Sequence, residues 1–370
     1  MTTALLPEGL RDRLPPQAEA AAAMLRAALD TIRGYGYERV APPLAEYEES
    51  LAGRLKSGTA RDLLRVVDPL SQRTLALRPD ITTQVGRIAA TRLAHRPRPL
   101  RLSYGGPVVK LRASQLRPER EMTQIGAELI GRDSAAAAAE IVALAIEALT
   151  AAGATRITID LTLPDVVETL AAGALPLAPE QIPEVRALLD AKDAGALAAT
   201  GASVYLPLIE AAGPFAEAIE RLRRFDTEGA LASRLSALET IAARLHGIAT
   251  VTLDPTERHG FEYQTWLGFS LFAEGLGGEV GRGGAYTILH EDGREEPAIG
   301  FSIYPDPLLD LMQRHEPERR VMLPPGHDQD VARRLRAQGW VTVAALDDGC
   351  AADGCTHRLG PEGPEPIRRS

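Results

Sequence analysis

The sequence predicts an α+β fold, an antiparallel sheet flanked by helices, and three observations carry that reading. Strand-like segments gather in two blocks, one across residues 73–130 and one across 258–304. Between them, roughly 164–250 is rich in Ala and Leu and broken by Gly and Pro, which marks a helical insertion. The stretch 318–346 has a strand–helix–strand rhythm, that of a small appended α/β module. Strands collected in blocks, with helices collected elsewhere, indicate α+β rather than regular βαβ alternation. The expected layout is a core over 1–317 and a C-terminal module over 318–370, with a Pro- and Gly-rich tail that frays.

The elements can be justified in order. Residues 17–33 form an amphipathic helix with Leu25, Leu29 and Ile32 on one face and Gly34 as its stop. YERVAPPL at 37–44 reads as a short strand ended by Pro42 and Pro43. Segments around 73–78, 99–104, 107–112 and 121–130 read as successive antiparallel strands, with Gly105–Gly106 as a turn. Asp133 or Ser134 caps a helix running to about Ala152, with Ile141, Leu144, Ala145 and Leu149 as its apolar stripe. The glycine-rich 275–284 lacks the Lys-Ser/Thr of a phosphate-binding loop and reads as a hairpin or loop.

Composition excludes several classes. The 370 residues suggest about two domains. A balance of 45% hydrophobic and 25% charged residues supports a packed core rather than disorder. A net charge of −9 disfavours nonspecific binding to nucleic acid or anionic membrane. No basic-then-apolar leader opens the chain and no apolar run reaches membrane-spanning length. The two cysteines, Cys350 and Cys355, point to a reducing cytoplasm; with His357 they lack the second ligand pair of a zinc site, so no metal or cofactor is expected. His95, His290 and His315 sit among charged residues and read as surface positions. Lysine is rare, only Lys56, Lys110 and Lys192 against 38 arginines, which makes a retained lysine informative.

The segment richest in chemistry is EMTQIGAELIG, 121–131. At strand period two, Thr123, Ile125, Ala127 and Leu129 share one face while Gln124, Gly126 and Glu128 share the other. Gln124 and Glu128 lie about 13 Å apart along such a strand. The glycine between them leaves a bare spot where a ligand approaches the backbone, so an amide and a carboxylate could bracket a small zwitterion. The alternative is an ordinary solvated sheet face. Arg78, Asp80, Thr82 and Thr83 fall at a strand-to-helix junction, where Asp80 or Thr82 caps the helix. Lys110 falls on a strand just before 121–131.

Here the motifs carry a resemblance. PEGLRD (7–12), GYGYERVAPPL (34–44), LRPDIT (77–82), YGGPVVKLR (104–112), TQIGAELIG (123–131), HGFEYQT (259–265), GGAY (283–286) and PAIGFSIY (297–304) follow the order and approximate spacing of the class II histidyl-tRNA synthetase catalytic domain. The resemblance covers most of 5–312 and implies a class II aminoacyl-tRNA synthetase-like sheet. It implies that Asp80, Thr82, Gln124 and Glu128 contact the amino group and imidazole of a histidine-like ligand. His259 and Tyr263 belong to the same implied site, and Lys110 turns a positive charge toward a carboxylate.

The departures lie mainly on the ATP side. The family's strand arginine is Lys110, the following glutamate is Arg112, a loop arginine falls on Pro118, and the adenine-stacking arginine falls on Pro307. On the amino-acid side, His259 stands in place of an arginine and Gln264 in place of the second tyrosine. Proline carries neither cation nor side-chain hydrogen bond, and adenylate formation requires fixed cations around a triphosphate. A synthetase-like core without those arginines, and without a full anticodon-binding domain, resembles the regulatory subunits of ATP phosphoribosyltransferase. That resemblance implies a non-catalytic chain, a homodimer formed through 34–50 inside a hetero-oligomer with the short-form catalytic subunit, and feedback by L-histidine. Two other classes fit the core: a catalytically active AMP-forming ligase of the histidyl-tRNA synthetase type and a stand-alone amino-acid sensor. The ATP-side departures weigh against the first, and absence of a co-purifying catalytic subunit would favour the second.

Overall fold

The computed structural model describes residues 5–52, 63–112, 118–258, 264–311, 319–347 and 354–367. Helix α1, Gln17–Gly34, buries Ala20, Met24, Ala28, Leu29 and Ile32, the spacing of one amphipathic face. Strands β1 (Glu38–Arg39) and β2 (Ala45–Tyr47), helix α2 (Glu48–Ala52), and strands β3 (Leu64–Val67) and β4 (Thr74–Leu77) follow. Only Glu38–Arg39 of the expected 37–44 strand pairs, because the next residues serve another purpose. Pro42 and Pro43 turn their carbonyls to Arg78 Nη1 (2.8 Å) and Gln84 Nε2 (2.8 Å). Helix α3 (Thr82–Ala90) then leads to β5 (Leu100–Val109) and β6 (Glu121–Ile130).

Helix α4, Ala135–Ala151, is capped by Ser134, whose hydroxyl accepts the N–H of Ala137 at 3.2 Å. Its apolar residues are buried nearly all round because it packs on β6 and on neighbouring helices at once. After β7 (Thr158–Thr162) come α5 (Val166–Ala171), α6 (Ile182–Asp190), α7 (Ala194–Ala199), α8 (Pro207–Glu210), β8 (Gly213–Pro214), α9 (Phe215–Phe225) and α10 (Ala232–Arg244). The chain returns through β9 (Thr250–Leu253) to β10 (Gln264–Phe272), β11 (Gly281–Leu289), β12 (Glu295–Ile303) and the short α11 (Leu308–Leu311). Lys192, at a positive φ of 56°, sets its ammonium 2.7 Å from Asp254 Oδ1 and 2.5 Å from Thr256 Oγ1. Asp190 accepts the N–H of Arg258 at 2.9 Å, so the end of α6 is fastened to the segment that precedes β10.

The central sheet has nine strands in the order β1-β5-β6-β12-β11-β10-β7-β9-β8. From β5 to β7 every pairing is antiparallel. One face buries Ile125, Ala127, Leu129 and Phe301. The opposite face carries Gln124, Gly126 and Glu128 and builds the site.

Gly105–Gly106 does not form a turn. Both lie inside β5, whose register with β6 runs unbroken from Leu100↔Ile130 to Val109↔Glu121. The reason is close approach: a Cβ on Gly105 would lie 2.7 Å from Leu25 Cδ1, and one on Gly106 would lie 2.7 Å from Arg78 Nη2. His290 also departs from its surface reading. Its side chain is 6% exposed, with Nε2 2.9 Å from Glu296 Oε2. Arg98 Nε holds the other oxygen of Glu296 at 2.6 Å, so the buried carboxylate keeps a charge partner and a hydrogen bond to the imidazole.

The chain divides into the units Met1–Leu309 and Asp310–Ser370. In the second, β13 (Arg320–Leu323), α12 (Gln329–Ala337) and β14 (Val341–Ala344) form a strand–helix–strand with the two strands parallel. The tail expected to fray instead pairs as β15 (His357–Gly360) with β16 (Gly363–Pro366). Its prolines are tolerated because β16 is an edge strand. Among the described residues, no helix is long and apolar enough to cross a membrane.

Gly105→Ala should push the end of the Leu25 side chain aside and destabilise the chain by about 1 kcal/mol. Denaturant unfolding checks this, and an unchanged midpoint would refute the close-packing explanation.

Candidate functional site

The start of α3 and the polar face of β6 meet through hydrogen bonds that leave Gln124 fully committed. Asp80 Oδ1 accepts the N–H of Thr82 at 2.7 Å and so caps the helix. Gln124 Nε2 donates to Asp80 Oδ2 (2.8 Å) and to Ser302 Oγ (2.7 Å), while its Oε1 accepts the N–H of Ile81 (2.8 Å). Gln124 and Glu128 are 0% and 1% exposed. The face is therefore neither solvated nor bare.

The gap at Gly126 is filled from within. Tyr104 is directly opposite Gly126 on β5, and Ser302 is opposite it on β12. A Cβ on Gly126 would overlap the Tyr104 hydroxyl and the carbonyl of Phe301. That hydroxyl donates to Glu128 Oε1 at 3.0 Å and lies 2.9 Å from Thr82 Oγ1 and 3.0 Å from Ser302 Oγ. Tyr286 OH donates to Glu128 Oε2 at 2.8 Å. The expected ligand gap is thus occupied by the chain's own phenol, because only glycine leaves room for it.

Burial dominates the electrostatics. Desolvation raises Glu128 to about 8, against the lowering effect of its two tyrosine hydrogen bonds. Desolvation also raises Asp80; hydrogen bonds from Gln124 and Thr82 and the charge of Lys110 oppose it. Lys110 is exposed just beyond the end of β5, with Nζ 6.0 Å from the centre of the Tyr304 ring.

Further along the same face, a glycine row crosses the sheet. Glu128 is in register with Gly300, Gly300 with Gly284, Gly284 with Gly268, and Gly268 with Thr162. A Cβ on Gly300 would overlap the Glu128 carboxylate. The trough holds the carboxamide of Gln264, whose Nε2 donates to the carbonyl of Gly283 at 2.7 Å. What remains beside Glu128 and Tyr286 is a recess of about 20 Å³, room for one water-sized sphere. A larger cleft, about 530 Å³, opens at the start of α4 and shares Tyr286 as a wall. Two pairs of polar groups on its wall are joined to each other: Arg234 with Asp165 at 2.6 Å and Trp266 Nε1 with Asp133 at 2.8 Å.

The structure therefore brings Asp80, Thr82, Gln124 and Glu128 into one network, with Lys110 acting on it from the rim. His259 and Tyr263 lie outside the described residues. Tyr104, Ser302 and Tyr286 belong to the network and were not singled out by sequence. The signal for Tyr104 is a tyrosine facing a glycine across paired strands, visible only once the register is known. On the other side, Arg112 and Pro118 are exposed and Pro307 is half-buried, so neither proline offers a cation. Among the described residues the arrangement is a buried polar network beside a water-sized recess.

Known proteins show the same architecture. Residues 9–308 match the family model described as histidyl-tRNA synthetase. The ATP phosphoribosyltransferase regulatory subunit of Paramagnetospirillum magneticum is 44% identical over 97% of each chain. That of Rhodospirillum centenum is 43% identical, across 96% of this chain and 93% of its own. A crystal structure described as an ATP phosphoribosyltransferase regulatory subunit/histidyl-tRNA synthetase from Bacillus halodurans shares the fold, with a TM-score of 0.79 at 24% identity over 95% of both chains. Fold and site define the class, a histidyl-tRNA synthetase-like class II core. Within it, the chain belongs to the family of ATP phosphoribosyltransferase regulatory subunits.

The Glu128 shift has a measurable sign. The folded chain keeps this proton up to about pH 8, whereas the unfolded chain releases it near 4.5, as an ordinary glutamate does. Between those values unfolding sheds a proton, so the Glu128 contribution is complete below the lower value and declines as pH rises to the upper one. The slope reaches at most about 1.4 kcal/mol per pH unit, and the raised Asp80 acts in the same direction. Glu128→Gln, which mimics the protonated form, should flatten stability against pH from about 5 to about 8. Identical slopes in urea melts of variant and parent would contradict the assignment.

Proposed function

We propose that this chain is the non-catalytic regulatory subunit of a cytoplasmic ATP phosphoribosyltransferase complex. It joins a short-form catalytic subunit, enables the first step of L-histidine biosynthesis, and carries feedback by L-histidine. One observation supports this above the rest: the amino-acid side of the synthetase-like core survives as a buried network, while two arginine positions of the phosphate side are prolines. Asp80, Gln124 and Glu128 are all hydrogen-bonded in one cluster, yet Pro118 and Pro307 stand where a triphosphate needs positive charge.

In this reading Lys110 faces the carboxylate of the amino acid, and Asp80 and Glu128 face its nitrogen groups. Residues 34–50 supply the contact between two copies, and each pair carries catalytic subunits. L-Histidine then regulates through a coupling free energy between its own site and the partner's active site, by favouring one quaternary arrangement over another.

Mixing the purified chain with its catalytic partner should raise phosphoribosyl transfer by about 5- to 150-fold, the usual span of such coupling, and L-histidine should reverse the gain. The chain alone should show no histidine-dependent pyrophosphate exchange with ATP. A catalytic subunit indifferent to the chain, or exchange by the chain alone, would overturn the proposal.

A further inference from the structure

We propose that Gln264 is an internal competitor for the ligand recess: its carboxamide occupies the glycine trough, and an imidazole-bearing ligand enters by displacing it. The proposal rests on the reading of L-histidine as ligand and adds a residue that sets how tightly it is held.

Four observations support it. First, the trough exists only because three adjacent strands place glycine in register. A Cβ on Gly268 would overlap Gln264 Oε1, and one on Gly284 would lie 2.7 Å from Gln264 Nε2. Second, the remaining volume of about 20 Å³ holds one water-sized sphere, so a five-membered ring and the carboxamide cannot share the trough. Third, the carboxamide resembles half of a neutral imidazole, a planar group with one N–H side and one acceptor side. Its donor reaches the carbonyl of Gly283 at 2.7 Å.

The fourth observation concerns the acceptor side, where Gln264 is an imperfect occupant. Thr162 is 5% exposed, and its Oγ1 has no hydrogen-bond partner among the described residues. It lies 3.0 Å from where a Gly268 Cβ would be, at the floor of the trough. Buried hydroxyls are ordinarily paired, and a ring nitrogen seated deeper than the carboxamide would accept its proton. Gln264 can also withdraw cheaply. The β10–β11 register breaks between Gln264 and Gly268, so the side chain leaves without disturbing the pairs from Gly268 to Leu271.

The test is calorimetry on the full chain with L-histidine and with imidazole as probes. Gln264→Ala should bind both about tenfold more tightly than the parent, the scale of one released neutral hydrogen bond and the contacts around it. Thr162→Val should weaken both by about 3- to 10-fold, the loss of one hydrogen bond to ligand, while leaving the melting temperature unchanged or raised. Unchanged or weaker binding by a folded Gln264→Ala overturns the proposal, as does no binding of either probe to either chain. A Thr162→Val variant that melts lower but binds as the parent assigns that hydroxyl a structural role and also counts against it. Activation of the catalytic subunit by the unaltered chain is scored separately. If activation occurs and Gln264→Ala binds no better, only the competitor fails; if Gln264→Ala binds better without activation, only the regulatory reading fails.

Discussion

The phenol of Tyr104 is the point through which the site is held together. It stands on β5, fills the space left by Gly126 on β6, meets Ser302 of β12 and Thr82 of α3, and donates to Glu128. In an interior where each unpaired polar group costs about 1–3 kcal/mol, such a network acts as a unit and cannot be assembled in part. Three strands and the first turn of a helix are thereby locked in one register. The raised Asp80 and Glu128 are a product of the same enclosure, since the packing that orders their partners also removes their water.

The glycine row shows the opposite use of the sheet. Glycine in a strand interior gives up side-chain packing and backbone order, and here Gly268, Gly284 and Gly300 do so side by side. The loss opens a trough along a sheet that is otherwise closely packed. On one side of Glu128 the missing Cβ of Gly126 is repaired by a tyrosine; on the other, the missing atoms of Gly268 and Gly284 are covered by a glutamine. Among the described residues, the unpaired hydroxyl of Thr162 marks the end at which that cover is incomplete.

Much of this was legible in the residues themselves. The alternation in 121–131 placed Gln124, Gly126 and Glu128 on one face, and the junction chemistry of LRPDIT offered Asp80 or Thr82 as the cap of α3, of which Asp80 accepts the N–H of Thr82. The occupants of the gaps were not legible, because Tyr104 comes from β5 and Gln264 from β10, and both depend on pairing register rather than on local pattern. Reading Gly105–Gly106 as a turn put Tyr104 at the end of a strand, where it could not face Gly126. The two glycines were there to admit Leu25 and Arg78, an approach that no property of the local sequence reports. His290 misled for a related reason: its charged neighbours in sequence, Glu296 among them, turned inward to become its buried partners.

The clamp at Lys192 ties the helical insertion to the segment that leaves β9. Its ammonium grips Asp254 and Thr256, and Asp190 holds the amide of Arg258, only a few residues ahead of β10. Protein segments open to solvent in cooperative blocks whose edges follow such contacts. The α6–α7 corner and residues 254–258 therefore belong to one exchange unit, and their amides should take up deuterium together. A lysine in a left-handed backbone conformation, in a chain that otherwise favours arginine, thus marks the join between the insertion and the segment that leaves β9.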